Sequence, residues 1–358
     1  MSPTDRLDSA NDHAVADLLA SVHLAPRQAH KALTIWPLLR RPGAPPAPDC
    51  ISLSEALESG ACVLDEVSEH GAVPHARLDN HGEKAVLVIF GEELLGAKQN
   101  RIANASFLVA PATSVVLDVS CVEHGRWSRP ANARFRAGEQ IVSHKIRQKM
   151  QAKVAFSVAS SGRFDADQHE VWEQVAKRVE GAQAESRSGA YQDYTRKRTT
   201  DLAQVLDSFH TVEDQVGFVA AIGDEVVGLE AVASPALLRS LFPKLLRGYA
   251  IDAIDAALAA GKASILSIND HDGRTVMRII GGLNGSLRND FLHGLTRVGV
   301  ADSAIAPGPP VSDGSTEGRS IAGDGRGRSG VNRGGGSSGA ESPIPIAAAT
   351  PSAVPCTA

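Results

Sequence analysis

Short runs of apolar residues, separated by polar or glycine-containing segments, fill the chain between Cys62 and Glu123. The runs alternate apolar with polar residues or are rich in β-branched residues, and a spacing of about 8–12 residues is typical of an all-β sandwich or barrel. Ala85–Phe90 has no polar break, which predicts a buried central strand. The strands predicted from these runs are ACVLDEV, HARLDN, AVLVIF, ASFLVA and SVVLDVSCV.

After Pro130 the spacing of apolar residues becomes that of helices. Between the later helices, Gln215–Val232 predicts a β-hairpin that turns at Gly223 and Asp224, a favourable turn pair. The polar stretch around Tyr191 and Tyr194 is predicted to be a loop. The predicted helices are Gln140–Lys153, Asp167–Val179, Asp201–Phe209 and Leu237–Ala260, the last broken near Pro243.

The first 60 residues carry weaker signals. Ala14–Leu24 is predicted to form a short amphipathic helix that ends before Pro26, and Lys31–Leu39 is apolar and β-prone. A proline-rich turn or linker follows at 41–48. A short helix is then predicted over 53–59, where Ser52 and Glu55 have the spacing of a capping box.

The end of the chain has a different composition. Residues 301–358 are rich in glycine, proline and serine and contain no aromatic residue. Such a segment cannot bury enough apolar surface to offset chain entropy, so we predict that it is a disordered tail. Its run GRGRSGVNRGGG has few arginines and no aromatic side chain to stack on a base, which favours a flexible tail over a nucleic-acid-binding one.

Together these patterns predict an α+β protein. A β-rich, sandwich- or barrel-like N-terminal half packs with a helical and β-hairpin C-terminal half, followed by the disordered tail. The predicted division is an N-terminal extension over 1–30, a domain over 31–262 with its two halves at 31–130 and 131–262, an unassigned segment over 263–300, and the tail over 301–358.

Composition narrows the class of protein. A hydrophobic content of 43% is ample for a core, and a net charge of −5 argues against non-specific nucleic-acid binding. The polar start of the chain is unlike a secretory signal, and no apolar run approaches the roughly 20 residues that span a bilayer. Four cysteines without a CxxC pair fit a reducing compartment and suggest no metal site. We therefore expect a cytoplasmic protein without a nucleic-acid or membrane partner; the sequence identifies neither a cofactor nor an oligomeric state.

The densest polar cluster in an apolar setting is Gly91–Arg101, directly after the Ala85–Phe90 run. Charged residues that directly follow a buried strand and lie next to two glycines are well placed to line a pocket at a sheet edge. The alternative, an exposed β-turn with ordinary surface charges, fits this cluster equally well. In the pocket interpretation, the acid, base or metal-holding candidates are Glu92 and Glu93, the anion-binding candidates are Lys98 and Arg101, and the hydrogen-bonding candidates are Gln99 and Asn100.

A second cluster, Cys121–Trp127, also ends an apolar strand. Strand alternation places Cys121 and Glu123 on one face. A cysteine near His124 could be a nucleophile, but a lone cysteine ending a strand is more often a small buried hydrophobe, so we predict that Cys121 is not one. Glu123 and Arg126 could form a partly buried ion pair, and Trp127 could be a ligand platform or a core residue. We expect the two clusters to be neighbours at the same end of the β-rich half.

The motifs GEELLGAKQNRIANASFLV and VSCVEHGRW resemble the ARG and rhodanese-phosphatase-superfamily-associated protein domain. This is a prokaryotic family without an established activity, named after neighbouring genes, in which ARG denotes ADP-ribosylglycohydrolase. The resemblance runs from LTIWPLL to KLLRGYAIDAIDAA, about two thirds of the chain. The family's recurrent polar positions correspond here to Glu92, Glu93, Gln99, Asn100, Arg101, Cys121, Glu123, Gly125, Arg126 and Trp127.

The resemblance implies a bacterial protein related to ADP-ribose or nucleotide metabolism. One hypothesis is an enzyme or accessory enzyme, with Glu92, Glu93 or Glu123 as catalytic candidates. The other is a non-catalytic module that binds a nucleotide-like ligand or a partner protein, because no catalytic triad, metal motif or phosphate loop is readable. The ligand-binding candidates under both hypotheses are Lys98, Gln99, Asn100, Arg101, Arg126 and Trp127.

Overall fold

Three β-sheets, six helices and a short helical segment at 17–21 organise the part of the chain that the computed structural model describes, residues 17–44, 49–68, 70–128 and 133–259, with the backbone of 299–300. The strands are β1 (Val22–Leu24), β2 (Gln28–His30), β3 (Leu33–Arg40), β4 (Cys50–Ser52), β5 (Cys62–Glu66), β6 (His75–Asn80), β7 (Ala85–Val88), β8 (Glu92–Gly96), β9 (Arg101–Ala103), β10 (Phe107–Val109), β11 (Thr113–Cys121), β12 (Phe135–Ile141), β13 (Gln215–Ile222), β14 (Glu225–Ala231) and β15 (Gly299–Val300). The helices are α1 (Leu53–Glu58), α2 (His144–Ser161), α3 (Gln168–Gly181), α4 (Tyr191–Lys197), α5 (Thr199–Leu206) and α6 (Pro235–Ala259). The predicted tail over 301–358 lies outside the described residues.

The sheet that positions the candidate site has six strands in the order β12-β8-β9-β11-β6-β5, and each neighbouring pair in it is antiparallel. A second sheet has the order β1-β3-β13-β14, with β2 also paired to β3. The third has the order β15-β10-β7-β4. An α+β fold with a β-rich N-terminal half is therefore confirmed.

The core is built mainly from aliphatic side chains, as the low aromatic content requires, with a few buried aromatic rings among them. One cluster packs α6 and α2 against β13 and includes Leu238, Leu241 and Phe218, all fully buried. A second cluster lies on the six-stranded sheet and includes Leu78 and Leu94. These clusters hold β8 and β12 in place, which fixes the side chains of the candidate site.

The helix α6 is continuous, so the predicted break near Pro243 is wrong. Proline removes one backbone donor from a helix and usually kinks or ends it. Here buried side chains on both sides of Pro243, among them Leu241 and Leu245, bind the helix to the core along its length. No helix in the described part of the chain is long and apolar enough to cross a membrane.

The capping box of α1 is confirmed. The Ser52 hydroxyl accepts a hydrogen bond from the Glu55 backbone N–H at 3.3 Å, and the Glu55 carboxylate accepts one from the Ser52 backbone N–H at 2.9 Å. The hairpin of β13 and β14 also turns at Gly223 and Asp224, as predicted. In motifs of this kind, residues a few positions apart form hydrogen bonds with each other's backbone groups. The motifs can therefore be recognised from a short stretch of sequence.

Elements that depend on distant partners differ from the predictions. Residues 17–21 are helical, but Val22–Leu24 is strand β1 because it pairs with β3, and the predicted residues 14–16 lie outside the described part. Gln140 and Ile141 belong to β12, so α2 begins at His144 instead. The predicted loop around Tyr191 and Tyr194 is helix α4, whose apolar anchors are these two buried tyrosines.

Candidate functional site

The two polar clusters found in the sequence are neighbours, as predicted. Cys121 is the cross-strand partner of Arg101 in the pairing of β11 with β9. Asn100 donates its backbone N–H to Glu123 Oε2 at 3.1 Å, and Gln99 Nε2 donates to the Glu123 carbonyl at 3.2 Å. The short β8–β9 hairpin therefore brings both clusters to one place.

The location of the first cluster is nevertheless different from the prediction. Glu92, Glu93 and Arg101 belong to β8 and β9, which lie inside the six-stranded sheet and have paired strands on both sides. Their side chains are buried, so they do not line an open pocket at a sheet edge. The prediction failed because it treated Gly91–Arg101 as a segment that leaves the sheet.

Arg101 is fully buried and its charge is paired. Its Nη2 donates to both carboxylate oxygens of Glu66, at 2.9 and 2.8 Å, and its Nη1 donates to the His75 carbonyl at 2.5 Å. The guanidinium also lies 5.2 Å from the ring centre of Phe135. A bidentate ion pair of this kind joins β9 to β5 across the sheet.

Glu123 and Arg126 form a second ion pair, which holds the segment after β11. Arg126 donates to Glu123 Oε2 from Nε at 2.9 Å and from Nη2 at 2.7 Å. Ser188 donates to the other carboxylate oxygen at 2.8 Å. Burial alone would raise the pKa of Glu123, but the hydrogen bonds from Arg126, Asn100 and Ser188 lower it below its ordinary value.

Trp127 is 46% exposed, so it is not a core residue. The Nζ of Lys98 lies 5.3 Å from its ring centre, and the Arg101 guanidinium lies 5.9 Å away. Lys98 Nζ also donates to the His70 carbonyl at 2.5 Å. Trp127 is therefore a half-exposed ring that lies against the cations of Lys98 and Arg101.

Cys121 is buried, which confirms the predicted strand context. Its thiol lies 3.2 Å from the Glu123 carbonyl, to which it donates. Burial raises the pKa of this thiol above its ordinary value. A raised thiol pKa reduces the thiolate fraction at neutral pH, in keeping with the prediction that Cys121 is not a nucleophile.

The adjacent glutamates on β8 have opposite surroundings because successive strand residues point to opposite faces. Glu92 pairs with buried Lys244 of α6 and accepts the Ile89 backbone N–H at 3.1 Å. Glu93 accepts a hydrogen bond from the side-chain amide of Gln192 at 3.3 Å. Its Oε1 has no hydrogen-bond partner among the described residues.

Glu93 is the candidate with the most perturbed carboxyl group. Complete burial raises its pKa from the usual 4.5 to about 7, although the side-chain amides of Gln140 and Gln192 and the charge of Lys244 oppose the rise. A carboxyl group that titrates near pH 7 can give or accept a proton under physiological conditions. Burial gives this property to Glu93.

A groove with a volume of about 250 Å³ lies directly beyond Glu93. Gln140 and Gln192, the amides next to Glu93, form part of its wall. Leu95 also lines it, since Leu95 is two residues after Glu93 and faces the same way. We call it the arginine groove; its lining residues are Leu95, Arg136, Glu139, Gln140, Gln192, Thr195, Arg196, Thr199, Leu202 and Arg247.

The arginine groove is positively charged, because its lining holds three arginines and one glutamate. Arg247 lies 3.5 Å from Glu139, whose side chain is 80% exposed, and the Arg247 Nε has no hydrogen-bond partner within the described part. Arg196 pairs with Asp193 at 2.7 Å. Arg136 is exposed, and its charge acts on Glu93. Guanidinium groups at a groove of this size suit phosphate or carboxylate oxygens.

A bulge in β12 brings this groove close to Glu93. The pairing of β12 with β8 shifts register between Ala137 and Ile141. Gly138 lies in this bulge, and a Cβ at that position would be 2.6 Å from the Glu93 Cβ. Bulges are common beside functional sites because they redirect side chains, and here the bulge precedes Gln140.

Sequence reasoning found Glu93 but missed the groove residues. Arg136, Arg196 and Arg247 are separated by long stretches of chain, and nothing in the sequence links the three positions. The pairing of β12 with β8 and the packing of α6 bring them together. Among the described residues, no group of three or more His, Cys, Asp or Glu side chains is arranged to hold a metal ion.

The fold and this site define an α+β protein in which a buried carboxyl group lies behind an arginine-lined groove. The family model described as ARG and Rhodanese-Phosphatase-superfamily-associated Protein domain matches residues 21–281, and this chain belongs to that family. The resemblance seen in the two sequence motifs is thereby confirmed. Searches of curated proteins and of solved structures found no significant match.

Proposed function

We propose that this protein binds an anionic, nucleotide-like small molecule, with ADP-ribose as the leading candidate, in the arginine groove. The observation that carries the proposal is the set of three arginines around a groove whose wall is formed by the amides next to Glu93. Guanidinium groups bind phosphate oxygens through paired N–H donors, and amides bind hydroxyl or base edges.

The volume of the groove supports a particular mode of binding. About 250 Å³ is below the roughly 300–1,000 Å³ of pockets that enclose a drug-sized ligand. The phosphates would therefore lie among Arg136, Arg196 and Arg247, and the rest of the nucleotide would extend outward. The preference for ADP-ribose rests on the association of the family with ARG, the ADP-ribosylglycohydrolases.

Glu93 supplies the acid–base group of the proposed site. It is the candidate glutamate whose pKa is raised to about 7, and it lies next to the amides of Gln140 and Gln192, which line the groove. Incubation of the protein with ADP-ribose, followed by mass spectrometry, distinguishes binding from processing. Processing gives a new mass that Glu93→Gln abolishes, whereas a non-catalytic ligand-binding module leaves ADP-ribose intact.

A thermal-shift experiment tests the binding proposal. ADP-ribose and ADP should raise the unfolding midpoint of the wild-type protein, whereas ribose, which has no phosphate, should not. The double variant Arg136→Gln/Arg196→Gln should lose most of this shift. The matched control is Arg77→Gln, an exposed arginine on β6 that is paired with Asp79 and does not line the groove.

Two results would count against the proposal. One is the absence of any shift with ADP-ribose, NAD or ADP at millimolar concentration. The other is an equal shift in the double variant and in Arg77→Gln, since this would place the anion elsewhere on the surface.

A further inference from the structure

A second groove, with a volume of about 810 Å³, lies where β6 and β11 face α2 and the segment that leads to α3. It does not share a lining residue with the arginine groove. We call it the Phe156 groove. The residues that matter for its chemistry are His75, Asn104, Asp118, Phe156, Phe164 and Asp165.

An exposed aromatic ring forms the apolar part of the Phe156 groove. Phe156 on α2 is 75% exposed, although large aromatic side chains usually bury most of their surface. The neighbouring Phe164 is anchored, because its ring packs against Phe107 with centroids 5.8 Å apart. The face of Phe156 is therefore available to an apolar or cationic group.

A buried acceptor lines the same groove. Asn104 is 3% exposed, and its Nδ2 donates to the Phe164 carbonyl at 2.9 Å. Its Oδ1 is buried and accepts no hydrogen bond within the described part of the chain. Buried amide oxygens are nearly always paired, so this atom can accept a donor from outside the described residues.

The carboxylates of the groove add to its acceptors. Asp118 Oδ1 lies 3.1 Å from His75 Nδ1, and Asp118 Oδ2 accepts the Phe164 backbone N–H at 3.3 Å. The contact with His75 lacks the geometry of a hydrogen bond, because His75 Nδ1 has no hydrogen-bond partner among the described residues. Asp118 is 27% exposed and keeps acceptor capacity for a ligand.

The charge of the Phe156 groove favours cations. Its lining includes Asp118, Asp165 and Asp167 against Lys153 and Arg163. Lys153 is already held by Asp167 at 3.3 Å and by Glu170 of α3 at 3.4 Å. With paired cations set aside in both grooves, Asp118 and Asp165 face Arg163 here, whereas Arg136 remains in the arginine groove, where Arg196 pairs with Asp193 and Arg247 with Glu139.

We propose that the Phe156 groove binds a small organic cation that carries a protonated amine beside an apolar or aromatic face. The N–H groups of the ligand donate hydrogen bonds to Asn104 Oδ1 and to the Asp118 carboxylate, and the apolar face of the ligand packs on Phe156. This second site is independent of the anion site and stands whether or not ADP-ribose binds.

Three probes that differ mainly in charge test the proposal: phenethylamine, 2-phenylethanol and phenylacetate. Saturation-transfer NMR on the full-length protein should give phenethylamine an affinity at least fivefold higher than that of the alcohol, with phenylacetate weakest. Equal affinities for all three probes would overturn the proposal, because they would show an apolar surface without charge selection.

Variants locate the bound amine. Phe156→Ala removes an exposed ring and should weaken phenethylamine binding severalfold while leaving the unfolding midpoint unchanged. Asp118→Asn should reduce the preference for the amine over the alcohol. Leu258→Ala, the loss of an exposed apolar side chain outside the groove, should bind like the wild type. If Phe156→Ala also binds phenethylamine like the wild type, the proposed site is wrong.

Discussion

Two adjacent glutamates of this protein, Glu92 and Glu93, have different electrostatic surroundings. Glu92 faces a buried lysine, so its charge is compensated. Glu93 faces two amides and is left with one unpaired oxygen among the described residues. A buried charge without a partner is costly, so the protein favours the neutral form of Glu93. This single difference makes Glu93 the acid–base candidate of the site.

The raised pKa of Glu93 predicts a pH-dependent stability. The carboxyl group titrates near 4.5 when the chain is unfolded and near 7 when it is folded, so the folded state loses stability as the pH rises through this interval. Glu93→Gln removes that loss. The free energy of unfolding of Glu93→Gln, taken relative to that of the wild type, should therefore be larger at pH 8 than at pH 5 by roughly 2 to 3 kcal/mol, which means that the variant is relatively more stable at pH 8.

Urea unfolding of both proteins at the two pH values measures this difference. A constant effect of Glu93→Gln at pH 5 and pH 8 would mean that Glu93 is ionised in the folded protein throughout.

At the scale of elements, glycine allows close contact between β14 and α6. Gly228 faces Tyr249, whose hydroxyl donates to Glu230 at 2.7 Å. Glu230 also pairs with Arg147 of α2 at 2.5 Å. One strand and two helices thus meet at a single buried polar network, which depends on the missing side chain at position 228.

Gly228→Ala should disrupt this network, because the added Cβ would overlap the Tyr249 hydroxyl. We expect a loss of about 1–3 kcal/mol in the free energy of unfolding, the usual cost of overpacking a core. Gly181→Ala is the control, since a Cβ there meets nothing within 4 Å and a helical alanine is favourable. Chemical denaturation of the two variants gives the comparison; equal stabilities would contradict this account.

The elements that could be predicted from the sequence are those with local signals. The capping box of α1 and the turn at Gly223 involve residues close together in the chain. Strands β8, β9 and β12 could not be recognised, because their polar residues are buried by strands and helices far away in the sequence. In the sequence, polar residues that lie inside a sheet resemble turn residues, because the strands that pair with them are not apparent from the sequence.

The same limit applies to the candidate site. Glu93 stood out because acidic residues directly follow an apolar run. Arg136 and Arg247 carry no local signal, since their importance comes from a shared groove that long-range pairing creates. The acidic residue of the site was therefore predictable from residue type and position in the sequence. The arginines of the groove could be identified only from the fold.

At the scale of the whole molecule, the two grooves differ in charge. Arginines dominate the groove at β12, α4 and α6, whereas aspartates dominate the groove at β11 and α2. Opposite local charges on a chain of net charge −5 allow anionic and cationic ligands to select different places. We propose that the anion binds in the arginine groove, beside Glu93.

The dissociation constant of ADP-ribose at pH 6 and pH 8, measured by calorimetry for the wild type and Glu93→Gln, tests this claim most directly. ADP-ribose keeps its phosphate charge over this range, and an anion bound near Glu93 disfavours ionised Glu93. A rise of about one unit in the Glu93 pKa makes wild-type binding about fivefold tighter at pH 6 than at pH 8. Glu93→Gln should bind equally at both pH values. The same pH dependence in both proteins, or no binding at either pH, would contradict the account.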